Sequence, residues 1–431
     1  MKRMIVMLFL LVLLAACERS EPIVAPPLPE APTIPTDPGV SEEAETTEAP
    51  LETGLSTGSP VEQLAPNTDY QPAFAGQTRI GSIQTEATLD VTVLTNDLDA
   101  PWGVAVAPDG RFFITERLGN LRILTPEGTL SEPIRGFPDV ASDGQGGLLD
   151  IAFSPTYPTD RRIYFTLAEQ TADGAVTAVG HGVLSRDETM IEDFTIIYRA
   201  LPYYSNSAHF GSRIVFVDDG TLFVSTGDRQ SNATRMQAQS LDNGYGKIIH
   251  LTPEGEAVEQ LFPNLTGALP EIYSYGHRNV QGMAIDPETG DLWIAEMGPR
   301  GGDELNLILP GRNYGWPLVS YGIEYSGAKV LDGLTQLEGT EQPVYYWDPV
   351  LAPGGMTFYT GDLLPEWQGN LFIGGLKGSH IARLVLKDRR VVAEERLLAD
   401  LGERFRDVTV GPDGALYTIT DSGRLYRLAT K

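Results

Sequence analysis

Only five histidines occur in the 431 residues, and one of them, His209, lies in NSAHFGSR (206–213), where small residues crowd the imidazole. A histidine so placed is either a core residue with its hydrogen bonds satisfied or a general base facing a substrate. Cations recur along the chain in short loop-like stretches: Arg278 in YGHRNVQG, Lys377 in GGLKGSH, and Arg404 and Arg406 in ERFRDV. Gln145, in SDGQGG, stands in a stretch of the same kind. If the fold gathers these groups, they form a positive pocket suited to a small polyanion. A second constellation is EMGPRGGDELNLILPGRNYGWPLVSYG, in which Asp303 and Glu304 adjoin in a glycine-rich loop. Calcium takes about six to eight oxygens from such mixtures of carboxylates and carbonyls. The same pair also fits an acidic turn in an acidic protein.

Elements that could bring these groups together are visible as a repeat. Short alternating apolar runs flank a turn rich in Pro, Asp and Gly, as in WGVAVAPDGRFFITER (102–117) and SRIVFVDDGTLFVSTGDR (212–229). The pattern recurs at 147–169, 282–298, 355–378 and 406–423. Each unit reads as a β-hairpin, with strands of period two about a tight turn. Six units spaced by roughly 45 to 80 residues predict an all-β fold, a six-bladed β-propeller of four-stranded antiparallel blades, over residues 67–431. In a propeller, the loops before the inner strands surround a central channel. His209, Arg278, Arg404 and Arg406 then belong to one site, with Gln145 before the second repeat and Lys377 near the fifth.

The charge balance narrows the partners. Lys and Arg total 31 against 58 Asp and Glu, a formal charge of −27, which disfavours nucleic acid. The chain opens MKRMIVMLFLLVLLAAC, a basic start and a 13-residue apolar run, Met4–Ala16, ahead of its one cysteine, Cys17. That run suits a signal peptide (residues 1–16) and is short of the ~20 residues of a spanning helix. The segment LLAAC resembles a bacterial lipoprotein signal, which implies lipidation of Cys17, export, and an anchor as the only membrane contact. With Cys17 acylated, no thiol is left for a disulfide, thiolate metal site or nucleophile. Glu18 after the cysteine resembles the lipoprotein sorting pattern that implies the periplasmic face of the outer membrane. Residues 18–66 hold ten of the 31 prolines, ten acidic residues and one basic one. Residues 17–66 are accordingly expected to form a disordered, charged spacer.

The ordered set GQGGLLD, HFGSR, TGDR, SYGHRNVQG, GPRGGDELNLI, GRNYGWP, GNLFIGGLKG, RFRDV and GPDGALY, spread over residues 89–430, resembles the soluble aldose dehydrogenases. These are six-bladed propellers dependent on pyrroloquinoline quinone (PQQ), related to soluble glucose dehydrogenase. The resemblance implies oxidation of the C1 hydroxyl of an aldose to a lactone, with an electron acceptor that it does not specify. It implies that Gln145, Arg278, Asn279, Lys377, Arg404 and Arg406 line the quinone and that Arg278 polarises its reacting carbonyl. It implies that His209 takes the hydroxyl proton and that Asp228, in TGDR, orients the imidazole. It further implies Ca²⁺ on the quinone, held partly by the carbonyls of Gly298 and Pro299. A nearby structural Ca²⁺ site would use Glu304, Tyr314 and Ser320, and Asp303 beside them.

Two positions depart from the family pattern: Met297 where relatives often have His, and Ser212 where a second Gly is common. His277, beside Arg278, is a rival for the base. Two other readings stay open at this point. One is a calcium-dependent propeller lactonase or esterase, which leaves the convergence of Lys377, Arg404 and Arg406 unexplained. The other is a non-catalytic, glycan-binding lipoprotein.

Overall fold

The computed structural model describes residues 58–431. The signal segment, Cys17 and most of the proline-rich stretch lie outside the described residues. Of the expected spacer, residues 58–66 are described, and they already touch the propeller. Ser59 O accepts from Ser82 N at 3.2 Å, and Glu62 pairs with Arg396 at 2.6 Å. No described helix is long and apolar enough to cross a membrane.

Six antiparallel sheets form, one from each hairpin repeat. The turns explain why. In Pro108-Asp109-Gly110, Gly110 N bonds to Ala107 O at 2.8 Å, and Asp109 Oδ1 accepts from Arg111 N at 3.1 Å. The same pattern returns at Asp219-Gly220, where Asp219 Oδ1 accepts from Thr221 N at 2.9 Å. Gly110 and Gly220 sit at φ 86° and 87°, a region that a side chain disfavours and glycine does not.

The inner strands are Pro101–Val106, Leu148–Phe153, Gly211–Phe216, Val280–Ile285, Pro353–Phe358 and Phe405–Val410. They pack side by side in a closed ring, the last against the first. Apolar layers fill the spaces between neighbouring blades. Phe113 and Phe165 belong to the layer between the first and second, Tyr164 and Val224 to that between the second and third, and Phe223 and Ile294 to that between the third and fourth. Trp293 with Ile373, Phe372 with Val408, and Ile419 with Ile114 complete the circle.

The expected six blades form, five of them with four full strands, with two particulars that the repeat does not show. The sixth blade takes its outer strand, Leu89–Thr95, from the N-terminal side, paired antiparallel with Leu425–Thr430, so the first and last strands of the propeller close the ring. The first blade has three full strands, and its outer edge is reduced to the bridges Leu121–Ile134 and Leu124–Leu130. Because each inner strand returns through a hairpin, the loop before it and the loop after the second strand share one end of the propeller. The residues expected at the base and the quinone fall in those loops or at the ends of the adjoining strands, whereas Tyr314 and Ser320 lie in the long connection between the third and fourth strands of the fourth blade.

Candidate active site

His209 ends the loop before the third inner strand, and Asp228 follows the neighbouring strand, Leu222–Thr226. The hairpin therefore delivers both to the same end, and His209 Nδ1 meets Asp228 Oδ1 at 2.6 Å. The carboxylate accepts two further bonds, from Gln230 N to Oδ1 and from Trp316 Nε1 to Oδ2, both at 2.8 Å, and the backbone is fixed by Asp228 N donating to Arg278 O at 2.8 Å. Burial opposes its charge, but His209, Arg278 and the Gln230 N–H outweigh that and hold its pKa below the usual carboxylate value. An ionised Asp228 places the imidazole proton on Nδ1. His209 Nε2 has no hydrogen-bond partner among the described residues, and the ring lines a cavity of about 230 Å³. Burial, then the charge of Arg278, push the imidazole pKa down to about 4 against the pull of Asp228. His209 is thus a neutral base with a free lone pair at ordinary pH.

Arg278 shares that cavity with Pro299, Trp316, Gln230, Arg235 and Tyr325. Its guanidinium lies 5.2 Å from the Trp316 ring centroid, and Nη1 donates to Met297 O at 2.9 Å and Gly298 O at 2.7 Å. Its buried Nε has no acceptor among the described residues.

The other expected contacts form a chain around the channel. Gln145 Oε1 accepts from His209 N at 2.8 Å. Asn279 Oδ1 accepts from Gly211 N at 3.1 Å, and its Nδ2 points to Met297 Sδ at 3.6 Å. Arg406 bonds to Gln281 Oε1 at 3.4 Å, while Gln281 Nε2 donates to Gly211 O at 2.8 Å. Arg404 and Arg406 grip Asp421 at 2.7 and 2.8 Å, and Arg404 reaches Leu376 O at 3.3 Å, next to Lys377. Lys377 is exposed and has no ion pair or hydrogen bond among the described residues. Such an unengaged ammonium beside two arginines suits an anionic ligand.

The residues expected at calcium divide into two groups. Glu304 stands cross-strand from Glu296, and Asn306 Nδ2 bridges them at 3.1 and 3.2 Å. Burial and then Glu296 raise the Glu304 pKa well above its usual value, the state of a carboxyl that a cation would relieve. Glu296, Glu304, Tyr314, Ser320 and Gly298 line a small cavity of about 10 Å³, near the size of one water or ion. The Tyr314 hydroxyl is engaged, donating to Leu307 O at 2.6 Å and accepting from Leu309 N at 2.9 Å. Ser320 Oγ accepts from Gly322 N at 3.0 Å. Asp303 faces elsewhere. Its Oδ1 accepts from Gly298 N at 2.9 Å, and its Oδ2 from Leu351 N and Ala352 N at 2.8 and 2.7 Å. Its carboxylate therefore fastens the loop. Among the described residues no cluster of three or more His, Cys, Asp or Glu side chains is placed to hold a metal, so any ion here needs backbone carbonyls.

His277, the rival base, is fully buried. Nδ1 meets Glu296 at 3.0 Å and Nε2 meets Ser274 at 2.8 Å, so neither nitrogen is available to a substrate. Ser212 sits at φ 85°, which explains why glycine suits that position. Several residues were not anticipated. Arg117 follows the second strand of its blade, as Asp228, Lys377 and Asp421 follow theirs, and it donates to Gly146 O at 2.9 Å in the Gln145 loop. Burial, then nearby Arg406, lowers its pKa. Aligning the repeats at the ends of their second strands would have found it. Trp316 lies in no repeated position and carries no such signal, whereas Gln281 is the second residue of its inner strand, as Arg406 is of the sixth. Arg213 occupies the axis, paired with Asp150 at 3.0 Å and Asp407 at 2.9 Å and stacked 4.2 Å from the Trp102 ring centroid. It joins inner strands of four blades beneath the site.

The chain is similar to known proteins over most of its length. The family model for glucose/sorbosone dehydrogenase matches residues 98–427. The aldose sugar dehydrogenase YliI of Escherichia coli (strain K12) is 45% identical over 351 residues, 80% of this chain and 94% of that protein. The apo-form crystal structure of the soluble aldose sugar dehydrogenase from Escherichia coli is 43% identical. It superposes with a TM-score of 0.76, covering 80% of this chain and 100% of that one. The PQQ-bound aldose sugar dehydrogenase from Streptomyces coelicolor is 27% identical, with a TM-score of 0.64 and coverage of 81% and 100%.

Proposed function

The chain belongs to the glucose/sorbosone dehydrogenase family, and from that premise we propose that it oxidises the C1 hydroxyl of aldoses to lactones, using PQQ and Ca²⁺. The observation that carries the reading is the His209–Asp228 pair at 2.6 Å, with Nε2 free beside Arg278 in one cavity. Neutral His209 accepts the hydroxyl proton at Nε2. Asp228 keeps Nδ1 protonated, fixes the ring and offsets the charge that arises. Such a base contributes ~10²–10⁴-fold in rate.

The residues present fit the cofactor. Lys377, Arg404 and Arg406 offer cations for carboxylates, Gln145 and Asn279 flank them, and Arg278 has a buried N–H without an acceptor. When bound, the quinone supplies the two-electron oxidant for the C1 hydride, and Ca²⁺ supplies Lewis acidity. Gly298 and Pro299 would offer carbonyls to that ion. Glu304, with Tyr314 and Ser320, would hold a second one. Asp303 supports the loop. Hydrolysis of a neutral lactone would leave Lys377 without a task and would not call for Arg404 and Arg406 beyond their pairing with Asp421. The N-terminal sequence extends the proposal to an exported protein anchored through lipidated Cys17. The test is a spectral titration with the quinone in the presence of Ca²⁺, followed by dye reduction with a panel of aldoses. Absence of turnover on every aldose by quinone-loaded protein would overturn the proposal.

A further inference from the structure

The His209–Asp228 pair rests on two loops with unusual backbones. His209 has φ 51°, and on the facing loop Arg229 and Gln230 have φ 65° and 46°. Residues with side chains disfavour this left-handed region, so surrounding structure must hold them there. The residue after His209 is Phe210, and the residue after Asp228 is Arg229. These two neighbours stack, with the Arg229 guanidinium 3.5 Å from the Phe210 ring centroid. Both are almost fully buried, at 1% and 2% exposure.

Arg229 also donates through Nη2 to the carbonyl of Asn206, three residues before His209. Asn206 returns across the gap, its Nδ2 donating to Gln230 O at 3.1 Å. Among the described residues Arg229 has no carboxylate partner, and its Nε and Nη1 have no acceptor. A buried guanidinium without a counter-ion is costly to keep. Arg229 does not line the cavity, so the proposed chemistry leaves it without a direct role. What it does is join the two loops that carry the base and its carboxylate.

We propose that Arg229 is a positioning residue for His209: stacked on Phe210 and bonded to Asn206, it clips the two left-handed loops together and keeps His209 Nδ1 on Asp228. The inference rests on the proposed role of His209 as base. The planar guanidinium face is what the clip needs, and a lysine ammonium keeps the charge without that face.

The test uses Arg229→Met, Arg229→Lys, Phe210→Leu and the Arg229→Met/Phe210→Leu double variant. The first readout needs neither quinone nor sugar: the NMR signal of the His209 Nδ1–H proton held by Asp228, assigned by its loss in His209→Asn. The second is kcat and KM of the reconstituted enzyme. Arg229→Met and Phe210→Leu should each broaden or abolish the Nδ1–H signal. Each should lower kcat about 10-fold, a fraction of the ~10²–10⁴ that a general base contributes, with KM changed less than about twofold. The double variant should fall no further than the worse single one, because both cut the same clip, and Arg229→Lys should lie between Arg229→Met and the unaltered protein. Folded variants that keep the Nδ1–H signal and kcat, and lose only Tm, would overturn the proposal and leave Arg229 a core residue. Should Arg229→Met not fold, Phe210→Leu and Arg229→Lys decide by the same two outcomes. If the unaltered protein oxidises no aldose, the proposed function fails, and the Nδ1–H signal still judges the clip by itself.

Discussion

Acidification reads the His209 environment directly. Burial first, then Arg278, holds this imidazole at about 4 in place of 6.5, although Asp228 pulls the other way. A general base must be neutral to act. At pH 5.5 a histidine with the ordinary value would be only about 10% neutral, whereas one at 4 would be about 97% neutral. The kcat/KM of the reconstituted enzyme on an aldose should therefore stay close to its plateau at pH 5.5 and reach half-plateau near 4. The assay is initial-rate dye reduction at constant ionic strength, with saturating quinone and Ca²⁺. A half-plateau near 6.5 would refute the reasoning, since it would mean an imidazole neither desolvated nor opposed by Arg278. Stability carries the same signature with a definite sign. Because the folded-state pKa is depressed, the contribution is whole above 6.5 and is lost as pH falls toward 4, by about 3 kcal/mol at most. His209→Asn should lose that dependence, seen as a smaller fall in Tm between pH 7 and pH 4.

Other consequences are as specific. Arg213→Met leaves Asp150 and Asp407 facing each other in the core, so urea unfolding should show a loss of about 3–5 kcal/mol; a loss under about 1 kcal/mol would contradict the axial role. Calcium should raise the Tm of the unaltered protein, by linkage worth about 2.7 kcal/mol at one hundred times Kd. Glu304→Gln should abolish that rise, and an equal rise in the variant would remove Glu304 from the ion's ligands. Lys377→Ala should weaken quinone binding about tenfold or more, the loss of one charge-assisted hydrogen bond, without moving the Tm of the quinone-free protein. Unchanged affinity on spectral titration would exclude Lys377 from the site.

The fold was legible because its unit is local: apolar alternation about a turn rich in Pro, Asp and Gly recurs six times and yields a hairpin each time, with Asp-Gly itself in three of the six turns. Ring closure was less visible, since Leu89–Thr95 pairs with Leu425–Thr430 and no periodicity links segments that far apart. The thin outer edge of the first blade depends on two bridges that alternation does not encode. Within the site, loop position relative to the hairpin brought His209, Arg278, Arg404 and Arg406 to one end. The link between His209 and Asp228 came through family motifs, and the hairpin geometry supplies its physical reason. Trp316 on Asp228, and Arg229 on Phe210, are contacts between loops of irregular length. Side-chain direction there is set by packing, which residue type and spacing do not report. Asp303 shows the converse: its type and position suggested an ion ligand, while three backbone N–H groups occupy its oxygens.

The most direct test of the account is reconstitution of the unaltered protein and His209→Asn side by side with PQQ and Ca²⁺. Quinone binding is followed by its absorbance shift, and turnover by dye reduction with aldoses. Both proteins should bind the quinone with similar affinity, and only the unaltered one should oxidise aldoses, with His209→Asn slower by ~10²-fold or more. Equal turnover by the two proteins would contradict the assignment of His209 as the base on which the account depends.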